Sequence, residues 1–156
     1  MLNMKSGFSM LEVLLAGALL LVFSVGATVA ALSVLDQTRL GREEAMAARY
    51  ASSGLDAVRS IRNRSFAELS ETSGSGTAVE NGVLSLSGER DTFEKYVRTI
   101  VIREARRDED GDIVEEGGTP DPDTIRATVS VSWDFTPSRH ERLEVSTYFT
   151  RWQDPL

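Results

Sequence analysis

Lys5-Ser6-Gly7-Phe8-Ser9-Met10-Leu11-Glu12 runs directly into residues 13–35, a stretch in which no residue carries a charge. At 1.5 Å of rise per helical residue, about 20 apolar residues cover the hydrocarbon core of a bilayer, and 18 or more without charge mark a spanning helix. Residues 13–35 therefore predict a membrane span. Glu12 is out of place at its head. A carboxylate costs on the order of 2 to 3 kcal/mol at mid-bilayer and less near an interface, so it implies a function and a partner.

Two simpler readings compete. A secretory signal peptide has a basic start, an apolar core of roughly 7 to 15 residues and a small-residue cleavage site, and Val29-Ala30-Ala31 has the composition of such a site. The apolar run is longer than a signal core, however, and Glu12 stands where such cores avoid charge. An ordinary single-span anchor accounts for residues 13–35 but leaves Gly7, Phe8 and Glu12 unexplained.

Residues 5–16, Lys-Ser-Gly-Phe-Ser-Met-Leu-Glu-Val-Leu-Leu-Ala, resemble the class III signal of type IV pilins and of the pseudopilins of type II secretion. The resemblance implies that a prepilin peptidase of the inner membrane cuts the leader after Gly7. It further implies that Phe8 becomes the N-methylated first residue and that Glu12 serves subunit assembly. Elementary electrostatics agrees with this. After cleavage the amine of Phe8 is a cation at the end of an apolar helix, and in a bundle it can neutralise a neighbour's Glu12, since a buried charge persists only when paired. The implied partners are other pilin or pseudopilin subunits. One feature departs from the family: many pilins carry a proline midway along the span, which kinks the helix, whereas residues 24–29 here have only Gly26 as a weak point.

Orientation is weakly encoded. Lys5 precedes the span, which favours a cytoplasmic N-terminus, but Arg39 and Arg42 lie just beyond its other end, so the family resemblance decides the direction. With leader and span set aside, about 120 residues remain, enough for one small domain outside the cytoplasm. The formal net charge of -7 argues against nucleic acid as a partner, because a binding module of that kind shows a basic patch or stripe. Cysteine is absent, which excludes disulfides, thiolate metal sites and cysteine nucleophiles.

Residues 36–69 contain no proline and place Ala48, Ala51, Leu55, Val58 and Ile61 three or four apart, a helical period. One helix over residues 8–69 would be roughly 90 Å long. Gly54 weakens such a helix by about 1 kcal/mol against alanine without ending it. Arg59, Arg62 and Arg64 fall on its solvated face, where a neighbouring subunit's acidic surface is the alternative contact. Residues 70–77, rich in serine and glycine, predict a loop. Asn81-Gly82 predicts a turn before a short strand over residues 83–87, and residues 93–103 predict a longer strand. Residues 106–123 read as a charged loop. The clearest period in the chain follows: Ile125, Ala127, Val129, Val131, Trp133 and Phe135 alternate with polar residues, as do Leu143, Val145, Thr147 and Phe149 beyond a turn at residues 136–140. The two runs predict an antiparallel hairpin. Residues 129–133 and 146–152 resemble the C-terminal hairpin of minor pilins of the pilus-modification class.

The expected fold is α+β: a long N-terminal helix, membrane-embedded in its first half, against a small antiparallel sheet, giving a lollipop shape. The expected segments are a leader (1–7), an assembly helix (8–35), a head-spine helix (36–70) and a sheet head (71–156). Catalysis is not expected. The single histidine, His140, lies in the hairpin turn, and neither a phosphate-binding glycine loop nor a His-Glu-x-x-His zinc motif occurs. No cofactor is expected beyond calcium. Asp108, Asp110 and Asp112 alternate as the first ligands of an EF-hand do, yet Ile113 replaces the glycine of the sixth position and Thr119 the glutamate of the twelfth. A full EF-hand is excluded, and the three aspartates remain as calcium ligands or as a plain acidic loop. The expected role is that of a minor pilin subunit. The alternatives are a type II secretion pseudopilin and an uncleaved, membrane-tethered binding module.

Overall fold

The structure, a computed structural model, describes residues 9–151. The chain divides into two units, Met1–Arg42 and Glu43–Leu156. Helix α1 (Met10–Arg64) contributes to both. In the first unit every described residue from Ser9 to Arg39 is exposed. The hydroxyls within it are satisfied locally: Ser24, Thr28 and Thr38 donate to the carbonyls four residues back, at 2.8, 2.9 and 2.8 Å. Such bonds let a polar side chain sit on a helix without needing water.

The second unit is α+β. The remainder of α1 packs on a seven-stranded antiparallel sheet formed by β1 (Thr72–Glu80), β2 (Val83–Ser87), β3 (Asp91–Phe93), β4 (Tyr96–Arg107), β5 (Ile113–Val114), β6 (Thr119–Thr136) and β7 (Arg139–Thr150). The main order is β2-β1-β4-β6-β7, with β3 and β5 each pairing β4. Period-2 alternation places Ile100 and Ile102 of β4, and Ile125, Ala127, Val129, Val131 and Trp133 of β6, on the face that meets the helix. The helix answers with small residues. Ala47, Ala51, Gly54, Ala57, Val58 and Ile61 are buried, whereas Ala48 and Leu55 are only partly so, and the stripe is thus turned slightly from the expected one.

Gly54 now has a packing reason. A Cβ built there would lie 3.1 Å from Arg98 Cδ and 3.1 Å from Val129 Cγ1. Gly54→Leu is therefore expected to lower stability by about 1 to 3 kcal/mol, because overpacking outweighs the gain in helix propensity. A thermal melt of the full chain followed by circular dichroism tests this, and an unchanged or higher midpoint would contradict the close approach.

Three boundaries differ from expectation. The helix ends at Arg64 rather than residue 69, followed by a 3-10 turn at Phe66–Glu68. At about 100° per residue Phe66 falls about 140° from Ile61 around a helix, off the buried stripe. Extended backbone at Ser65 (φ -161, ψ 122) breaks the helix, and Phe66 and Leu69 are 3% and 5% exposed. Residues 72–77, expected as loop, belong to β1. Their glycines are needed there: a Cβ at Gly76 would lie 2.6 Å from the Arg90 carbonyl carbon. The strand expected over residues 93–103 is present as β4 but begins at Tyr96, because a tight turn precedes it. Phe93 closes β3 opposite Tyr96, and the turn passes through Glu94 at φ 54.

The charged stretch 106–123 is also more ordered than composition suggests. Arg106 and Arg107 end β4, pairing with Val114 and Ile113 of β5 on one side and with Pro120 and Thr119 of β6 on the other. Arg107 explains the arrangement, since its Nε donates to Asp121 Oδ2 at 2.7 Å and its Nη1 to the Gly111 carbonyl at 2.7 Å. Other expectations hold. Asn81 and Gly82 have φ of 52° and 78°, the paired positive values of a two-residue hairpin turn, and β2 begins at Val83. β6 and β7 form the expected antiparallel hairpin, with Ile125 opposite Phe149 and Val129 opposite Val145.

Candidate functional site

The candidate site of the first unit is the start of α1. About 26 helical residues, 10–35, span about 39 Å, enough to cross a bilayer by length and composition. Large apolar side chains project all round it, from Met10 at 82% exposed to Leu35 at 65%. An apolar patch of this extent marks a surface made to meet lipid or other helices. Glu12 stands in the first turn of this helix and is exposed. Ser9 precedes the first helical residue, and its carbonyl accepts the backbone N–H of Glu12 at 2.9 Å and of Val13 at 3.2 Å. Serine with glutamate three residues later is the residue pattern of a capping box, and an anion in the first turn also suits the helix dipole. Glu12 thus has a local role available beside any contact with another subunit. Gly7 and Phe8 lie outside the described residues, as does Trp152 of the C-terminal resemblance.

Asp108, Asp110 and Asp112 occupy the turn between β4 and β5. Asp108 Oδ1 accepts the backbone N–H groups of Asp110 (3.1 Å) and Asp112 (2.9 Å), so its carboxylate is directed onto its own turn. Among the described residues no group of three acidic, histidine or cysteine side chains converges as metal ligands would. The turn is an organised acidic knob.

The helix arginines are engaged within the domain. Arg59 pairs with Asp56, and Arg64 with Glu68 while also donating to the Leu84 carbonyl at 2.9 Å. Arg62 stands with its guanidinium carbon 5.9 Å from the centre of the Phe149 ring. His140 faces Asp134 across the β6–β7 turn, Nδ1 to Oδ1 at 2.5 Å, and both are exposed.

The strongest polar cluster was not anticipated. Arg98 of β4 lies on the buried face at 5% exposed, with all five of its donors used. Nε and Nη2 grip the two carboxylate oxygens of Asp91 at 3.0 and 2.6 Å, and Nη2 also reaches Thr77 Oγ1 at 2.7 Å. Nη1 bonds the Tyr50 carbonyl (3.1 Å) and Ser53 Oγ (2.7 Å), while the guanidinium stacks 4.2 Å from the centre of the Tyr50 ring. Thr77 donates its N–H and hydroxyl to Asp91 Oδ2 at 2.8 and 2.6 Å, and the Tyr50 hydroxyl donates to Asp91 Oδ1 at 3.0 Å. Burial acts to raise the Asp91 pKa, but the hydrogen bonds from Arg98 and Thr77 outweigh it and hold the carboxyl down at about 2. Burial, and then the bond to Asp91, push the Tyr50 hydroxyl up to about 12. The cluster ties α1, β1, β3 and β4 together. It is a structural clasp. A signal for it existed in the sequence: Arg98 shares the even phase of Tyr96, Ile100 and Ile102 and therefore their face.

The described residues thus define an α+β protein whose N-terminal helix is long and apolar enough to cross a membrane. Comparison of the chain with protein-family models, with curated proteins and with solved structures finds no match.

Proposed function

We propose that the chain is a prepilin-like structural subunit, cut after Gly7 by a prepilin peptidase, methylated at Phe8 and assembled through its N-terminal helix into a type IV pilus or related filament as a minor component. The observation that carries this is the helix from Met10, apolar on every side and exposed, beginning one residue after Ser9 and carrying Glu12 in its first turn. Bundling such helices covers their apolar faces, and the amine of Phe8 in one subunit neutralises Glu12 in the next. The sheet domain, with its own core, is carried outside the cytoplasm.

The mature N-terminus tests the proposal. Mass spectrometry of the protein from its native membrane should find a chain beginning at N-methylated Phe8, and Gly7→Leu, which crowds the cleavage position, should leave the leader attached. A chain still beginning at Met1 would point to the tethered binding module, and one beginning near residue 32 to a secretory signal.

A further inference from the structure

We propose that the solvent face of the sheet carries a carboxylate-binding concavity, lined by Val101, Arg103, Arg126, Thr128, Arg142 and Glu144, that receives the acidic turn at residues 108–112 of a second copy of this chain. The concavity encloses about 310 Å³. Three guanidinium groups face one carboxylate in it, and that carboxylate, Glu144, is already bonded to Arg142 at 2.9 Å. Arg103 and Arg126 sit directly opposite each other across β4 and β6. Like charges so placed repel and weaken the pairing unless an anion lies between them. Arg103 has no hydrogen-bond or ion-pair partner among the described residues. Arg126 is held from outside the concavity by Glu115 at 2.9 Å, and its Nε is buried with no partner. The pairs Arg126–Glu115 and Arg142–Glu144 show that these arginines accept carboxylates, while the Arg126 guanidinium also lies 5.9 Å from the centre of the Tyr148 ring. The pair with Glu115 is weakly held, since the Glu115 side chain is 75% exposed.

The acidic turn has the complementary properties. Glu109, Asp110 and Asp112 are exposed and have no ion-pair partner among the described residues. The turn is fixed in advance by Asp108 Oδ1 on two backbone N–H groups and by Arg107 on the Gly111 carbonyl, so little ordering remains to be done on docking. A chain of net charge -7 repels its copies at long range, and contact must therefore be made where charge is locally reversed. Knob and concavity occupy different places on one molecule. A contact between them is heterologous and repeats from copy to copy, forming rings or open filaments rather than closed pairs. The inference goes beyond the filament proposal, in which the neighbours of a minor component are other subunits, and concerns contacts between copies of this chain alone.

The absence of cysteine makes the test specific. Two differently tagged full-length copies, one carrying Thr128→Cys and the other Glu109→Cys, are reconstituted together in phosphatidylcholine liposomes and oxidised mildly. A mixed disulfide is expected, well above that of a control pair in which Ser85→Cys replaces Thr128→Cys. Adding Arg103→Glu and Arg126→Glu to the first copy should lower the yield about tenfold, as like charges then meet. The neutral pair Arg103→Gln and Arg126→Gln should give an intermediate loss. Placing Asp110→Arg and Asp112→Arg in the second copy should restore the yield against the glutamate variant. A yield no higher than the control, or a loss that the charge swap does not restore, overturns the inference. Neither filaments nor leader cleavage enters the assay, so its failure is distinguishable from failure of the filament proposal.

Discussion

Arg98→Ala is expected to destabilise the sheet domain by about 3 to 5 kcal/mol, the usual consequence of stranding one member of a buried ion pair. For a domain of this size the melting temperature should fall by at least about 10 °C. The substitution leaves Asp91 without its bidentate partner and removes the bonds to Ser53, Thr77 and the Tyr50 carbonyl at once. The pH dependence should weaken as well. In the parent, Asp91 is held at about 2 against an ordinary 3.8, so its contribution is complete above the ordinary value and is lost only as pH falls from there through about 2. In Arg98→Ala the same carboxyl keeps the burial that raises its pKa and the two bonds from Thr77 that lower it, and loses those from Arg98, so its pKa moves up toward the ordinary value. The gap between folded and unfolded pKa narrows, and less stability is lost than in the parent as pH falls from about 5 to about 2. Denaturant melts of both proteins across that range measure the difference. A flat difference curve, or a loss below about 1 kcal/mol, would show the cluster to be a surface-like pair.

Why this clasp was hidden, when the hairpin beside it was plain, follows from where each signal resides. The alternation over residues 125–135 is local: each side chain reports its own face, and β-branched and aromatic residues report the strand. Burial of an arginine is not local. It depends on Asp91, Thr77, Ser53 and Tyr50, which lie 7, 21, 45 and 48 residues away. The same holds for β1, whose serines and glycines carry the composition of a loop. Gly76 is required because the backbone of Arg90 and Asp91 crosses it, and Thr77 because Asp91 binds it. The turn at Glu94 has no glycine, asparagine or proline to announce it. At the other end, the first unit was legible because a bilayer imposes its own simple rule on sequence: about 20 apolar residues, whatever the rest of the chain does. Glu12 was legible as an exception to that rule. The spacing of Ser9 and Glu12, that of a capping box, is a second and quieter signal carried by the same residue.

The two roles open to Glu12 predict different outcomes for two substitutions. Glu12→Ala removes both the anion and the capping side chain, whereas Glu12→Gln keeps a side chain that serves a capping box and removes only the charge. If Glu12 neutralises the Phe8 amine of the next subunit, both variants strand that amine in an apolar bundle. The loss is on the order of 3 to 5 kcal/mol, more than a factor of 100 in a docking equilibrium. Insertion should hold or improve in both, since a costly charge leaves the span. Three quantities decide the matter in cells expressing each variant beside the parent: protein in the membrane, cleavage after Gly7, and protein in sheared filaments. Membrane content and cleavage should be unchanged, and filament content should collapse equally for alanine and glutamine. Filament content that glutamine preserves and alanine does not would assign Glu12 to capping the helix, where the loss of a cap costs only about 1 kcal/mol. Normal filament content in both would reject the pairing, and loss of cleavage in either would place Glu12 in recognition by the peptidase instead.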